Sequence, residues 1–154
     1  MRIVESTAIA ASPERVTRLV RDVGLHERLS APIGGRAVGG RTEGLSEPGD
    51  RTVWAATFFG VRSRVTVDPG VAVVERIAGS VWQRLPLAAF GHTYRVDARP
   101  GGCVLWDAFT VRLVGGAVGE AATRLLLQRT MTRLVRHRLD GIRREAERGA
   151  TGRS

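Results

Sequence analysis

From about Val118 to Arg148 the chain has no proline, and Leu127, Met131, Leu134, Val135, Leu139 and Ile142 recur at steps of three and four. That period puts them on one stripe of a single long amphipathic helix, with a bend expected near Gly141. At 1.5 Å per residue such a helix runs about 45 Å, and its apolar stripe needs an equally extended partner to cover it. The fold is therefore constrained before anything else is read: the rest of the chain must build a surface long enough to grip this helix.

The preceding residues have the pattern of a sheet. Arg2 to Ala10 alternates Ile3, Glu5, Thr7 and Ile9 against Val4, Ser6 and Ala8, a period of two that predicts a strand. Ser12 is placed to cap, and Pro13 suits the first position of a helix. Glu14 complements the helix's positive end, and Val16, Leu19, Val20 and Val23 form its apolar stripe, predicting a helix from about Pro13 to Asp22. Gly24 to Pro32 reads as a short irregular or helical link, and Gly34 to Gly40 as flexible or sharply bent. Turn chemistry then recurs at Glu47-Pro48-Gly49-Asp50, Gly60, Asp68-Pro69-Gly70 and Arg99-Pro100-Gly101-Gly102. Between these breaks, Arg51 to Phe59, Val61 to Val67, Val71 to Ala78, Ala89 to Ala98 and Cys103 to Leu113 are rich in Val, Thr, Phe and Trp and read as antiparallel strands. The expectation is an α+β domain over residues 1–148, a curved antiparallel sheet wrapped around a long C-terminal helix, with a disordered tail at 149–154.

The formal net charge of +9 raises nucleic acid or an anionic membrane as a partner. All 24 basic residues are Arg, and many crowd Arg124 to Arg148 between the apolar positions of the last helix. They read as that helix's solvated face, because the aromatic interleaving used to stack single-stranded bases is missing there. No nucleic acid is expected. No apolar run reaches the roughly 20 residues of a membrane-spanning helix, and the expected location is the cytoplasm. Cys103 is the only cysteine and reads as a small apolar filler. Three scattered histidines and the absence of glycine-rich phosphate loops predict no metal, dinucleotide or nucleoside triphosphate. A homodimer stays open.

Strand parity sorts the concave side of the sheet. With Arg95 and Asp97 turned to water, Phe90, His92, Tyr94 and Val96 face inward; with Arg112 outward, Leu105, Asp107, Phe109 and Val111 do the same. Arg62 and Arg64 outward place Val65 and Val67 inside, and pairing across Gly60 adds Trp54, Ala56 and Phe58. With Leu127, Met131 and Leu134 from the helix, these residues predict the lining of an apolar pocket. Pairing through the Pro100-Gly101 turn sets His92 opposite Asp107, or opposite Phe109 if the register slips by two. In the first register the imidazole and carboxylate are about 5 Å apart at Cβ. A carboxylate there fixes the tautomer for acid/base work, and Tyr94 adds a hydroxyl; equally, the pair satisfies itself as a polar spot in the core. Arg138 falls near the buried stripe of the last helix, where it either reaches an acidic group or ligand oxygen or, the outcome its charge favours, snorkels to solvent. His26 and His137 read as surface residues.

The order of elements resembles the START/SRPBCC superfamily, the helix-grip fold shared by aromatic polyketide cyclases and plant allergen-type carriers. Thr7-Ala8-Ile9-Ala10-Ala11-Ser12-Pro13-Glu14-Arg15-Val16 looks like that superfamily's first strand running into its capped helix. Gly49-Asp50-Arg51-Thr52-Val53-Trp54 and Phe58-Phe59-Gly60-Val61-Arg62 are similar to a bacterial ligand-binding branch in which a histidine-bearing and an aspartate-bearing strand follow, as His92 and Asp107 do here. The chain departs from that branch at Tyr94, where a second histidine is usual, and in a longer Gly79 to His92 interval that moves the expected pocket mouth. The resemblance implies a cofactor-free cyclase or dehydratase acting on an apolar, carbonyl-bearing, polyketide-like substrate. In that role His92, Asp107 and Tyr94 do the chemistry and Arg138 assists. A carrier or sensor of a hydrophobic ligand, and a basic surface for RNA or membrane, are the competing expectations.

Overall fold

The computed structural model describes residues 1–58, 61–67, 74–78, 87–113 and 116–148. In chain order they form β1 (Arg2–Ile9), α1 (Pro13–Arg21), α2 (Val23–Leu29), a 3-10 turn (Ala31–Ile33), β2 (Arg36–Gly40), β3 (Thr52–Phe58), β4 (Val61–Val67), β5 (Val74–Ala78), β6 (Leu87–Arg99), β7 (Gly102–Leu113) and α3 (Gly116–Arg148). Among the described residues the strands pair antiparallel in the orders β1-β7-β6-β5 and β2-β3-β4. The long last helix packs on β1 and β7 and is also met by α1 and α2. This is the α+β helix-grip arrangement.

Local chemistry explains the helix boundaries. The Ser12 hydroxyl accepts from the Arg15 backbone N–H at 3.3 Å, and Pro13 opens α1 where no intrahelical donor is lost. Asp22 both ends α1 and caps α2, its Oδ1 accepting from Leu25 N–H at 3.0 Å. Two short helices therefore join at a single residue. Arg15 then ties α1 to the far end of α3, its Nε donating to the Ala146 carbonyl at 2.7 Å and a terminal nitrogen to that of Glu145 at 3.0 Å.

The glycine-rich Gly34 to Gly40 stretch is not simply a bend. Arg36–Gly40 is a strand that pairs with β3, with a bulge between Ala37 and Gly39. Gly40 has a φ of 66°, and a Cβ there would lie 1.9 Å from the Arg51 carbonyl oxygen. Glycine lets the two backbones close at the strand end, which its flexibility alone did not reveal.

Gly141 likewise does not interrupt the helix, which is continuous from Gly116 to Arg148. It makes room for α2: a Cβ on Gly141 would stand 2.1 Å from Leu29 Cδ2. Gly141→Ala gains about 1 kcal/mol of helix propensity but overpacks a buried contact, which costs roughly 1–3 kcal/mol. A net loss of roughly 1 kcal/mol is expected, read as a lower urea midpoint; a gain in stability would show that α2 does not seat tightly on α3.

The core lies between sheet and α3. Ile3 and Ile9 of β1, Val96, Leu105 and Phe109 of the central strands, and Met131, Val135, Leu139, Ile142 and Ala146 of α3 form one cluster with Val16, Val20, Leu25 and Leu29. Leu127 and Leu134 pack on its margin, and Cys103 is a buried, free filler within it. Each fully buried aliphatic side chain contributes about 1.5–3 kcal/mol relative to exposure.

Candidate functional site

Strands β6 and β7 are joined by a tight turn in which Arg99 pairs with Gly102, and this fixes everything upstream. Counting back from the turn, Tyr94 faces Asp107 and His92 faces Phe109, the second of the two registers open from sequence. The histidine still reaches the carboxylate, diagonally: His92 Nε2 lies 2.6 Å from Asp107 Oδ1. Diagonal neighbours on one sheet face are close enough for long side chains to meet.

Arg138 closes the site from the helix. It falls on the buried stripe between Val135 and Ile142, and its NH2 lies 2.7 Å from Asp107 Oδ2 and 2.7 Å from His92 Nε2. It is 9% exposed, with His92 at 5%, Tyr94 at 2% and Asp107 at 0%. The expectation that Arg138 snorkels to solvent is therefore corrected. A guanidinium this deep needs a carboxylate partner, and Asp107 is the one within reach among the described residues. A parallel pairing lies beside it: Glu5 stands opposite Asp107 on β1 and accepts from Arg136 at 3.0 Å. Two carboxylates on neighbouring strands are thus each answered by an arginine from α3.

Nε2 of His92 cannot both donate to Asp107 and accept from Arg138. The carboxylate is the stronger partner for an N–H, so Nε2 carries the proton and points it at Oδ1. The Arg138 contact is then a close cationic neighbour. This leaves Nδ1 as the basic nitrogen, with no hydrogen bond among the described residues. Burial, and then the Arg138 charge, lower the His92 pKa from its ordinary 6.5 against the opposing pull of Asp107. The ring is neutral at neutral pH. For Asp107, burial works to raise the pKa, but Arg138 and His92 together outweigh it and hold the carboxyl well below the usual carboxylate range.

Tyr94 is placed by its ring, which meets His92 edge-on at 4.4 Å between centroids and lies under the Arg138 guanidinium at 5.7 Å. Leu105, Phe109 and Met131 are buried in the core cluster, and Ala56 is buried on β3 outside it; Trp54, Leu127 and Leu134 are partly buried. Phe109 also touches the imidazole, at 5.9 Å between ring centroids. The side chains of Phe58, Val65, Val67, Phe90 and Val111, and the Gly79 to Pro86 part of the expected pocket mouth, lie outside the described residues.

His137 is exposed, but His26 is not the surface residue expected. It is partly buried on α2, with its ring 5.6 Å from that of Tyr94 and its Nε2 2.8 Å from the Val20 carbonyl oxygen. The sequence did carry a signal for this, since Val23, His26 and Leu29 are spaced by three on one helix face. Burial, then Arg138, lower the His26 pKa from 6.5 to about 4, the Val20 carbonyl opposing. A depressed folded pKa gives stability that is full above pH 6.5 and is lost as pH falls to about 4, because only the unfolded chain takes up the proton in that window. The shift corresponds to at most about 3 kcal/mol, since the part of the residue that meets solvent is screened. His26→Phe should flatten the loss of stability between pH 6.5 and 4 in urea titrations, whereas an unchanged slope would place the acid sensitivity elsewhere.

The family description "Polyketide cyclase / dehydrase and lipid transport" matches residues 1–147. The chain belongs to this family. Solved structures agree on the fold of this family member. It is similar to a protein of Thermus thermophilus, at 19% identity and TM-score 0.71 over 97% of this chain and 99% of that one. It is also similar to the Zhui aromatase/cyclase of Streptomyces sp. R1128, at 15% identity and TM-score 0.68, covering 96% and 94%. A START superfamily protein of Mycobacterium smegmatis matches at 12% identity and TM-score 0.64, covering 96% and 97%. No curated protein matches the chain. Among the described residues there is no cluster of side chains suited to a metal ion, and no helix is long and apolar enough to cross a membrane.

Proposed function

We propose that this chain binds an apolar, carbonyl-bearing small molecule between the sheet and α3 and acts on it as a cofactor-free cyclase or dehydratase. The observation that carries the reading is the buried cluster of His92, Asp107 and Arg138, a neutral base oriented by a carboxylate beside a fixed cation. The pocket walls hold the substrate in a reactive conformer. His92 Nδ1 takes a proton from a carbon next to a carbonyl; the C–H electron pair moves into the carbonyl and leaves an enolate. Arg138, whose buried Nε lacks a partner among the described residues, donates to the enolate oxygen. The enolate carbon then attacks a second carbonyl of the same chain, and the imidazolium returns its proton to the alkoxide that forms. In a second round His92 Nδ1 removes the remaining proton from the same carbon, a C=C bond forms as the C–O bond breaks, and the imidazolium proton goes to the departing hydroxide, which leaves as water.

A carrier is the second reading, and one observation favours it: both Asp107 oxygens are already taken by His92 and Arg138, as in a polar group that exists only to be satisfied. Native mass spectrometry of the freshly purified protein separates binding from its absence. A co-purifying apolar small molecule is expected; ligand-free protein that also fails to bind aromatic ketones at millimolar concentration would overturn both readings.

A further inference from the structure

His26 is unused by the mechanism above, yet it shares a cluster with it. Its ring faces Tyr94, which in turn meets His92 and lies under Arg138, so side chains from α2, β6, β7 and α3 converge on one tyrosine. The groups around His26 are the Val20 carbonyl from α1, His92 and Tyr94 from β6, Asp107 from β7 and Arg138 from α3. A carbonyl oxygen only accepts, so Nε2 must donate to Val20 and the tautomer is settled. Nδ1 is left as a lone pair, with no hydrogen bond among the described residues.

His92 has the same form: Nε2–H spent on an acceptor, Nδ1 open. Two neutral imidazoles from different elements therefore stand against Tyr94, each with Nδ1 as its unused acceptor. A ligand carrying only carbonyl oxygens cannot bond to either, because both sides would be acceptors. A hydroxyl can.

We propose that His26 is a specificity-determining residue that accepts a hydrogen bond through Nδ1 from a hydroxyl of the bound molecule, so that the site selects phenol- or enol-bearing ligands over their ethers. This rests on the ligand-binding reading of the same pocket and adds a hydroxyl to the ligand chemistry.

The test uses 2-naphthol and 2-methoxynaphthalene, matched aromatic probes with and without the donor, titrated into the whole protein at neutral pH by calorimetry. Wild type is expected to favour the naphthol by about fivefold to tenfold, the worth of one good hydrogen bond. His26→Phe should cut that preference severalfold, the His92 acceptor remaining, while the ether's affinity changes little, and His26→Asn, which keeps an acceptor, should restore part of the loss. Nitrogen NMR of the wild-type imidazoles gives a readout free of any folding defect in the variants: the His26 Nδ1 resonance should move with the naphthol and not with the ether. Equal affinities in wild type, or a preference undiminished in folded His26→Phe, overturn the inference and leave the pocket reading intact. If neither probe binds, both fail.

Discussion

Asp107→Asn is expected to destabilise the fold by about 3–5 kcal/mol, because it strands the Arg138 guanidinium in a site where both partners are almost fully buried. Arg138→Met should cost a similar amount by leaving the carboxylate without its cation. The two losses do not add. In the double variant neither charge is buried, and the cost of desolvating an ion pair is gone with the attraction that offset it, so its stability should exceed that of either single variant. Urea unfolding of the four proteins measures this. A double variant as unstable as the sum of the singles would mean that each residue acts through other contacts. The wild-type protein should also show the pair as an acid transition. The Asp107 carboxyl is held below its ordinary value of 3.8, so its contribution is complete above that pH and is lost as pH falls through the lower folded value. That loss lies below the window assigned to His26, which makes the two phases separable.

How far the sequence revealed this site depends on which residue is asked. Periodicity alone located α3 and the well-bounded strands from β3 to β7, because Pro-Gly turns punctuate them and a three-four stripe has one reading. Strand parity turned His92, Tyr94, Leu105, Asp107 and Phe109 to the buried face, since a strand has only two faces and the exposed arginines occupy one. Register was harder: a slip of two keeps every side chain on its face, so parity cannot distinguish His92 opposite Asp107 from His92 opposite Phe109, and turn geometry decides. Arg138 and His26 depart from their sequence reading for a shared reason. Each is polar on a largely apolar helix face, and its burial depends on a partner brought from far along the chain, Asp107 for one and Tyr94 for the other. Gly141 reads as a bend because sequence shows a missing side chain, not the Leu29 that fills the space.

The largest kinetic effect should come from His92→Ala. Kemp elimination of 5-nitrobenzisoxazole is a suitable probe, since it needs only a base in an apolar pocket to break one C–H bond while the N–O bond opens. Loss of the imidazole should lower the rate by about 10²–10⁴-fold, the range of a positioned general base. In wild type the rate should fall on the acid side, with a midpoint below 6.5, because burial and Arg138 depress the His92 pKa and protonation removes the lone pair on Nδ1. Added imidazole should restore part of the rate to His92→Ala, entering the space the side chain vacated, an effect with no counterpart if the residue only holds the fold together. Asp107→Asn lowers the rate by disturbing the tautomer, and the Asp107→Asn/His92→Ala double variant should be little slower than the worse single one, since residues that act as a unit lose their function once. If the pair is structural, the signature reverses: His92→Ala melts at a lower temperature, as Asp107 loses a buried partner 2.6 Å away, while probe turnover stays at the wild-type rate. Wild-type turnover in folded His92→Ala would reject the catalytic reading and leave the carrier.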